Sequence, residues 1–219
     1  DDGDEVVMFS PWFDLYAAAV SLAGGTRVEV PLTAGAFRPD ADALRAAVTP
    51  RTRVLLLNSP HNPAGSVLTR DELAAIAEVV EEHDLWVISD EAYEHLVFSG
   101  SEHVPFCTLP GMAERTVTIG SAGKSLSMTG WKVGWATGPT DLVAAVRVPR
   151  QHLSFVSGGP FQWAVIEGLA LPDDYWSSFR DGLEQQRDLL FTGLADLGFP
   201  TTVPQGTYFA TTDVRPLGY

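Results

Sequence analysis

Thr116-Val-Thr-Ile119, continuing directly into Gly120-Ser-Ala-Gly-Lys-Ser-Leu-Ser-Met-Thr-Gly-Trp-Lys-Val-Gly-Trp135, carries the strongest fold signal in the chain. The β-branched run reads as a buried strand, so Lys124 stands on a small-residue loop just past a strand's carboxyl end. Open α/β sheets bind their ligands at that edge. With Lys132 eight positions on, Lys124 suits a Schiff base with an aldehyde cofactor, and Lys132 suits neutralising an anion on that cofactor. Gly123-Lys124-Ser125 resembles the end of a phosphate-cradling loop, but that motif needs a glycine where Thr118 stands. A glycine-rich connection with two solvated lysines is the plainer reading.

Upstream, Val6-Val-Met-Phe9 reads as a short strand, and Ser10-Pro11 as the start of a helix running from Pro11 to Ala23, with Phe13 in its first turn. Thr26 to Val30 alternates like a strand, Asp40 to Val48 reads as a short helix, and Arg53-Val-Leu-Leu-Leu-Asn58 as a strand buried on both faces. In Ser59-Pro-His-Asn-Pro-Ala-Gly65, two prolines and a glycine fix the backbone so that the Asn62 amide is presented in a set direction; a plain turn fits the same residues. Thr69-Arg-Asp-Glu72 is a capping box, opening a helix to about His83. Leu85-Trp-Val-Ile-Ser89 is another buried strand and delivers Asp90-Glu-Ala-Tyr93 to its end. Strand, helix, strand in this order predicts a parallel sheet with right-handed crossovers, on which Asn62 and Asp90 emerge at the same edge as Lys124. Asp90 reads either as a helix cap or as the partner of a pyridine nitrogen, and Tyr93 reaches the same ligand if a helical turn starts there.

Downstream, Val133 to Thr137 reads as a strand, and Thr140-Asp141 caps a helix to Arg150. Phe161 to Leu171 reads as a helix, and a long amphipathic helix runs from Pro172 to Leu197. Thr201 to Val203 and Thr207 to Thr212 read as strands of a second, smaller unit.

The totals bound the function. The chain has 219 residues, 45% of them hydrophobic, enough for a sizeable core. Its 14 basic and 28 acidic residues give a net charge of −14, which disfavours nucleic acid and anionic membrane as partners. The single cysteine, Cys107, excludes an intrachain disulfide and fits a reducing compartment. No apolar run approaches the ~18 residues of a membrane span, and no signal peptide opens the chain, so cytoplasm is expected. No metal site is expected. The start at Asp1 and the loop-like Asp213-Val-Arg-Pro-Leu-Gly-Tyr219 suggest a fragment.

Five motifs fall in one order: Pro11-Trp-Phe-Asp-Leu-Tyr16, Asn58-Ser-Pro-His-Asn-Pro-Ala-Gly65, Ser89-Asp-Glu-Ala-Tyr93, Ser121-Ala-Gly-Lys124 and Thr129-Gly-Trp-Lys-Val-Gly134. Together they resemble the pyridoxal-phosphate aminotransferases of class I/II, fold type I, in the branch of kynurenine and glutamine transaminases and N-succinyldiaminopimelate aminotransferases. The resemblance covers nearly the whole chain. It implies an α/β fold, with residues 1–171 a cofactor-binding large domain lacking its amino-terminal part, and residues 172–219 an interdomain helix and the start of a small, truncated α+β domain. It implies pyridoxal 5′-phosphate, with Lys124 holding it covalently and moving the proton at substrate Cα. Asp90 pairs with the pyridine nitrogen, Asn62 and Tyr93 bond the 3′-oxygen, Phe13 stacks on the ring, and Ser121 with Lys132 hold the phosphate. Asn62 is also expected to meet the substrate. The implied reaction moves an amino group from an amino acid to a 2-oxo acid by a ping-pong cycle in a homodimer.

The chain departs from the family pattern in having Ala92 where Val is frequent. The family's upstream phosphate loop, a partner-lent tyrosine and a substrate-carboxylate arginine are expected outside residues 1–219, so this stretch alone is expected to be a poor catalyst. A carbon–sulfur β-lyase uses the same lysine and aspartate. A non-catalytic cofactor-binding regulator domain and an inactive remnant also fit these residues. Among donors, N-succinyldiaminopimelate is weakly favoured, with kynurenine, glutamine and methionine open. Trp12, Tyr16 and Trp131 read as core or as pocket walls.

Overall fold

The computed structural model describes residues 2–156, 158–215 and 218. Six strands form one sheet: β1 (Glu5–Ser10), β2 (Thr26–Pro31), β3 (Thr52–Asn58), β4 (Trp86–Asp90), β5 (Thr116–Ser121) and β6 (Gly134–Thr137). Their order is β2-β1-β3-β4-β5-β6, parallel through β5, with β6 antiparallel to β5. Among the described residues, seven α-helices accompany them: α1 (Leu15–Leu22), α2 (Ala41–Ala47), α3 (Arg70–Glu82), α4 (Ala122–Ser125), α5 (Thr140–Leu153), α6 (Gly159–Leu169) and α7 (Asp173–Asp196). Among the described residues, no helix is long and apolar enough to cross a membrane.

Side-chain alternation explains the layers. Val7, Phe9, Leu55, Leu57 and Val87 face α2 and α3, packing with Leu44, Leu73, Ile76 and Val80. Met8 and Leu56, one residue out of phase, face the other way and pack with Val20 of α1. Both faces of β3 are therefore covered, which is why its apolar run is nearly continuous. The chain leaves β1 toward β2 and returns past β1 to β3, so β1 and β3 flank a switch in winding direction. Ligand crevices form at the carboxyl ends of strands at such a switch.

The expected boundaries hold with instructive exceptions. The Thr69–Glu72 capping box is formed in both directions. The first helix, however, starts at Leu15 rather than Pro11, because Ser10 remains in β1 opposite Pro31 and so does not cap. Phe13 thus precedes the helix, its carbonyl accepting the Tyr16 N–H at 3.0 Å. Lys124 lies in the single turn of α4 rather than on an open loop. Buried Ala122, Gly123 and Ser125 make that tight turn directly after β5 possible. Beside it, a Cβ at Gly120 would run into the Trp135 indole, so the ring lies over β5 in its present place only with glycine there.

The Thr140–Asp141 cap is not formed; Pro139 precedes the first turn and α5 continues to Leu153. Thr201–Val203 and Thr207–Thr212 do not form strands. Thr201 and Thr212 make one isolated bridge, and Gly206, between the two segments, makes another with Val97. The backbone groups of Gln205 to Thr207, between and at the edge of these segments, are spent on loops beside the sheet instead. Gln205 N–H and Gly206 N–H donate to Gly65 O at 2.8 and 3.0 Å, Thr207 N–H donates to Leu96 O at 2.8 Å, and Phe98 N–H donates to Gln205 O at 2.8 Å. Of the terminal loop, Pro216, Leu217 and Tyr219 lie outside the described residues, as do Asp1 and Ser157.

Candidate active site

The carboxyl ends of β3, β4 and β5 present Asn58, Asp90 and the Lys124 turn to one cavity of about 200 Å³. Asn58 and Asp90 are register partners in adjacent parallel strands, so their side chains leave the sheet together. The Asn58 amide braces the edge: Nδ2 donates to Asp90 O at 2.9 Å and to Pro60 O at 3.2 Å, and Oδ1 accepts the Asn62 N–H at 2.7 Å. That last bond sets the loop on which Asn62 reaches the cavity.

Asp90 is held by two donors. Tyr16 donates its phenolic hydrogen to Oδ2 at 2.6 Å, and the Ala92 N–H donates to Oδ1 at 3.1 Å. The second bond is the turn-capping role open to any such aspartate; the first ties α1 to β4. Burial pushes the Tyr16 phenol far above its ordinary value of 10.0, and the Asp90 charge adds to the shift, so Tyr16 is a donor throughout the working range. Phe13 lies edge-on to Tyr16 with ring centroids 5.6 Å apart and borders the same cavity.

Tyr93 is buried beside Lys124, whose Nζ is 5.8 Å from the phenol ring centroid. Burial first, and the hydrogen bond with Tyr208 second, push the Tyr93 phenol well above its usual value. Tyr208 and Phe209 stand edge-on to Tyr93 at 5.4 and 5.8 Å and close the cavity from the carboxyl-terminal segment.

Lys124, Asp90, Asn62, Tyr93 and Phe13 are therefore brought together as expected. Ser121 and Lys132 do not line this cavity. Ser121 ends β5 opposite Gly134, and Val133 O accepts the Ala122 N–H at 3.2 Å, so Ser121 and Lys132 share one end of the β5–β6 pair. Lys132 is exposed and has left-handed backbone angles, φ 55° and ψ 44°. Trp131 stacks on Phe161 at 4.5 Å, away from the cavity's lining. The sequence reads Tyr16 as core or as a pocket wall and gives no role to Asn58, Tyr208 or Phe209 in the site. The one available signal is that Asn58 is a polar residue closing an apolar strand.

A family model for aminotransferase class I and II matches residues 1–218. The chain belongs to that family. It is 51% identical over 221 residues to the probable N-succinyldiaminopimelate aminotransferase DapC of Mycobacterium tuberculosis, an alignment covering 100% of this chain and 56% of that protein. It is 41% identical to the kynurenine–oxoglutarate transaminase of Dictyostelium discoideum, covering 99% of this chain and 54% of that protein. The chain thus spans little more than half the length of these curated relatives. The solved N-succinyldiaminopimelate aminotransferase of M. tuberculosis superposes with a TM-score of 0.97 at 51% identity, covering 100% of this chain and 58% of that one. A tetra mutant of Thermus thermophilus aspartate aminotransferase gives 0.93 at 36% identity, over 99% and 60%. The sheet with flanking helices is accordingly the fold type I aminotransferase architecture. The family's cofactor is pyridoxal 5′-phosphate, and the donor set fits it: an amine, a carboxylate facing two donors, an amide, a buried phenol and an aromatic face converge on one cavity.

Proposed function

We propose that this chain carries the cofactor site of an aminotransferase that moves an amino group from an amino acid to a 2-oxo acid. The reading is supported above all by one observation: Lys124 and Asp90 face a single cavity from neighbouring strand ends. Bound pyridoxal phosphate supplies an electrophilic aldehyde and a ring that withdraws the electron pair of substrate Cα. Lys124 would hold the cofactor through Nζ and would move the proton at substrate Cα. Asp90, oriented by Tyr16 and Ala92 N–H, holds the proton on the pyridine nitrogen. Asn62 and Tyr93 orient the 3′-oxygen, and Phe13 covers one ring face against water. Ser121 and Lys132 bind the phosphate, in keeping with their shared end of the β5–β6 pair. The first amino acid leaves as a 2-oxo acid before a second 2-oxo acid accepts the amino group.

We infer that the amino donor is N-succinyldiaminopimelate, which the name of the 51%-identical relative specifies; kynurenine, the donor named for the 41%-identical one, is the competitor. The active form is a homodimer in the cytoplasm. A test uses the chain's lysine inventory, which is Lys124 and Lys132 alone. The chain is mixed with pyridoxal phosphate, reduced with borohydride and mapped by peptide mass. The label is expected on Lys124, with its absorbance band missing from Lys124→Ala. Label on Lys132, or an unchanged band in the variant, overturns the assignment.

A further inference from the structure

Glu91 sits in the chain between two cavity residues, Asp90 and Tyr93, yet its own side chain is not part of the cavity wall. It is 2% exposed and points to the opposite side of the strand end from Asp90, the side it shares with Ser89. Three donors meet its two oxygens. Ser89 Oγ donates to Oε1 at 2.7 Å, Phe106 N–H donates to the same oxygen at 3.1 Å, and His103 Nε2 lies 2.9 Å from Oε2. Its backbone N–H donates to Ile119 O at the end of β5, and its carbonyl accepts the Glu94 N–H, both at 2.9 Å. One residue therefore ties β4, β5 and the segment from His103 to Phe106 together.

The surroundings do not call for a carboxylate on packing grounds. Val104, Phe106 and Leu109, in the segment that follows His103, belong to the main apolar core. A buried polar contact is a weak source of net stability compared with apolar residues of similar volume. What it supplies is geometry, because hydrogen bonds are short and directional, here at 2.7 to 3.1 Å from three groups. Glu94 is the second carboxylate beside His103. Burial pushes its carboxyl above the ordinary 4.5, and His103 pulls the other way.

We propose that Glu91 and His103 are positioning residues, a clasp behind β4 that sets the turn carrying Asp90 and Tyr93 into the cofactor cavity. The inference rests on the reading of Asp90 and Tyr93 as contacts of pyridoxal phosphate. Its test uses the full chain titrated with pyridoxal phosphate, followed by the visible circular dichroism of the bound cofactor, with melting temperature recorded in parallel. Glu91→Gln and His103→Phe are expected to raise the dissociation constant about tenfold and to weaken the dichroic band. His103→Gln, which keeps a donor for Glu91, is expected to restore both to within about threefold of the parent.

Lower melting temperatures with unchanged affinity and dichroism in both Glu91→Gln and His103→Phe would make the pair merely structural and overturn the proposal. The contrast between Glu91→Gln and His103→Gln decides by itself if His103→Phe does not fold: equal losses in the two overturn the donor role. A parent chain with no borohydride-trapped label on Lys124 overturns the cofactor reading itself, and this inference with it. A labelled parent with unaffected variants overturns only the clasp.

Discussion

Helices α3 and α7 are both amphipathic, and they meet different fates. In 13 residues α3 buries Leu73, Ile76, Ala77, Val79 and Val80 against the sheet. In 24 residues α7 buries only Phe191, and Leu189 is 77% exposed. On α6, Trp163 is 74% exposed and Val165 alone is buried. A helical period tells which face a helix offers, whereas burial depends on what the chain sets against that face. The candidate site is rooted in the first region, with Asn58 and Asp90 extending from packed strand ends, and is closed by Tyr208 and Phe209 of the carboxyl-terminal segment.

Four measurements put this contrast at risk. The largest effect is expected in the packed half, where Ile76→Ala should cost about 2–5 kcal/mol in urea unfolding. A loss under about 1 kcal/mol would mean that α3 is no better anchored than α7.

The next concerns His61, in the buried loop that carries Asn62. Burial lowers its pKa to about 4 from 6.5, with the hydrogen bond to the Pro11 carbonyl acting in the opposite sense. The unfolded chain takes up the proton first as pH falls, so His61 supports stability above pH 6.5 and that support is lost between 6.5 and about 4. The lost contribution is on the order of 3 kcal/mol, and His61→Gln should flatten the stability profile across that window. A variant profile parallel to the parent's would contradict a buried neutral imidazole.

A smaller effect is expected for Tyr16→Phe, which removes the donor to Asp90 and keeps the ring against Phe13. It should weaken pyridoxal phosphate binding by about 1.5 kcal/mol, read by absorbance titration. Unchanged affinity would show that α1 does not support the site. Smallest of all, Leu189→Ala on α7 should stay within about 0.5 kcal/mol of the parent. If it costs as much as Ile76→Ala, α7 is covered in solution and the two helices are alike.

The site is legible where its signals are local. Lys124 follows a β-branched strand, and Asp90 closes another; both positions follow from runs of fewer than ten residues. Tyr16 and the Glu91–His103 pair are not legible as site supports, because the side chains that they meet are not set by any local period, and the Asn58 bond to Asp90 O spans 32 positions. The Tyr16 phenol meets Asp90 across 74 positions, and no local period announces such a pair. The terminal segment misleads for a related reason. Thr207 to Thr212 alternates like a strand, but its neighbours bond to the loops at Gly65 and Leu96 instead of to a sheet partner.

The strands, the capping box of α3, the parallel run through β5 and the lysine beyond it are all written in the sequence, because each depends on side-chain periodicity and end chemistry within a short window. Folding in three dimensions was needed to turn β6 back antiparallel, to close the cavity with Tyr208 and Phe209, and to bury α3 while leaving α7 open. Those outcomes rest on hydrogen bonds and packing between residues far apart in the chain. Their partners are known only once the sheet order has set which strand ends are neighbours.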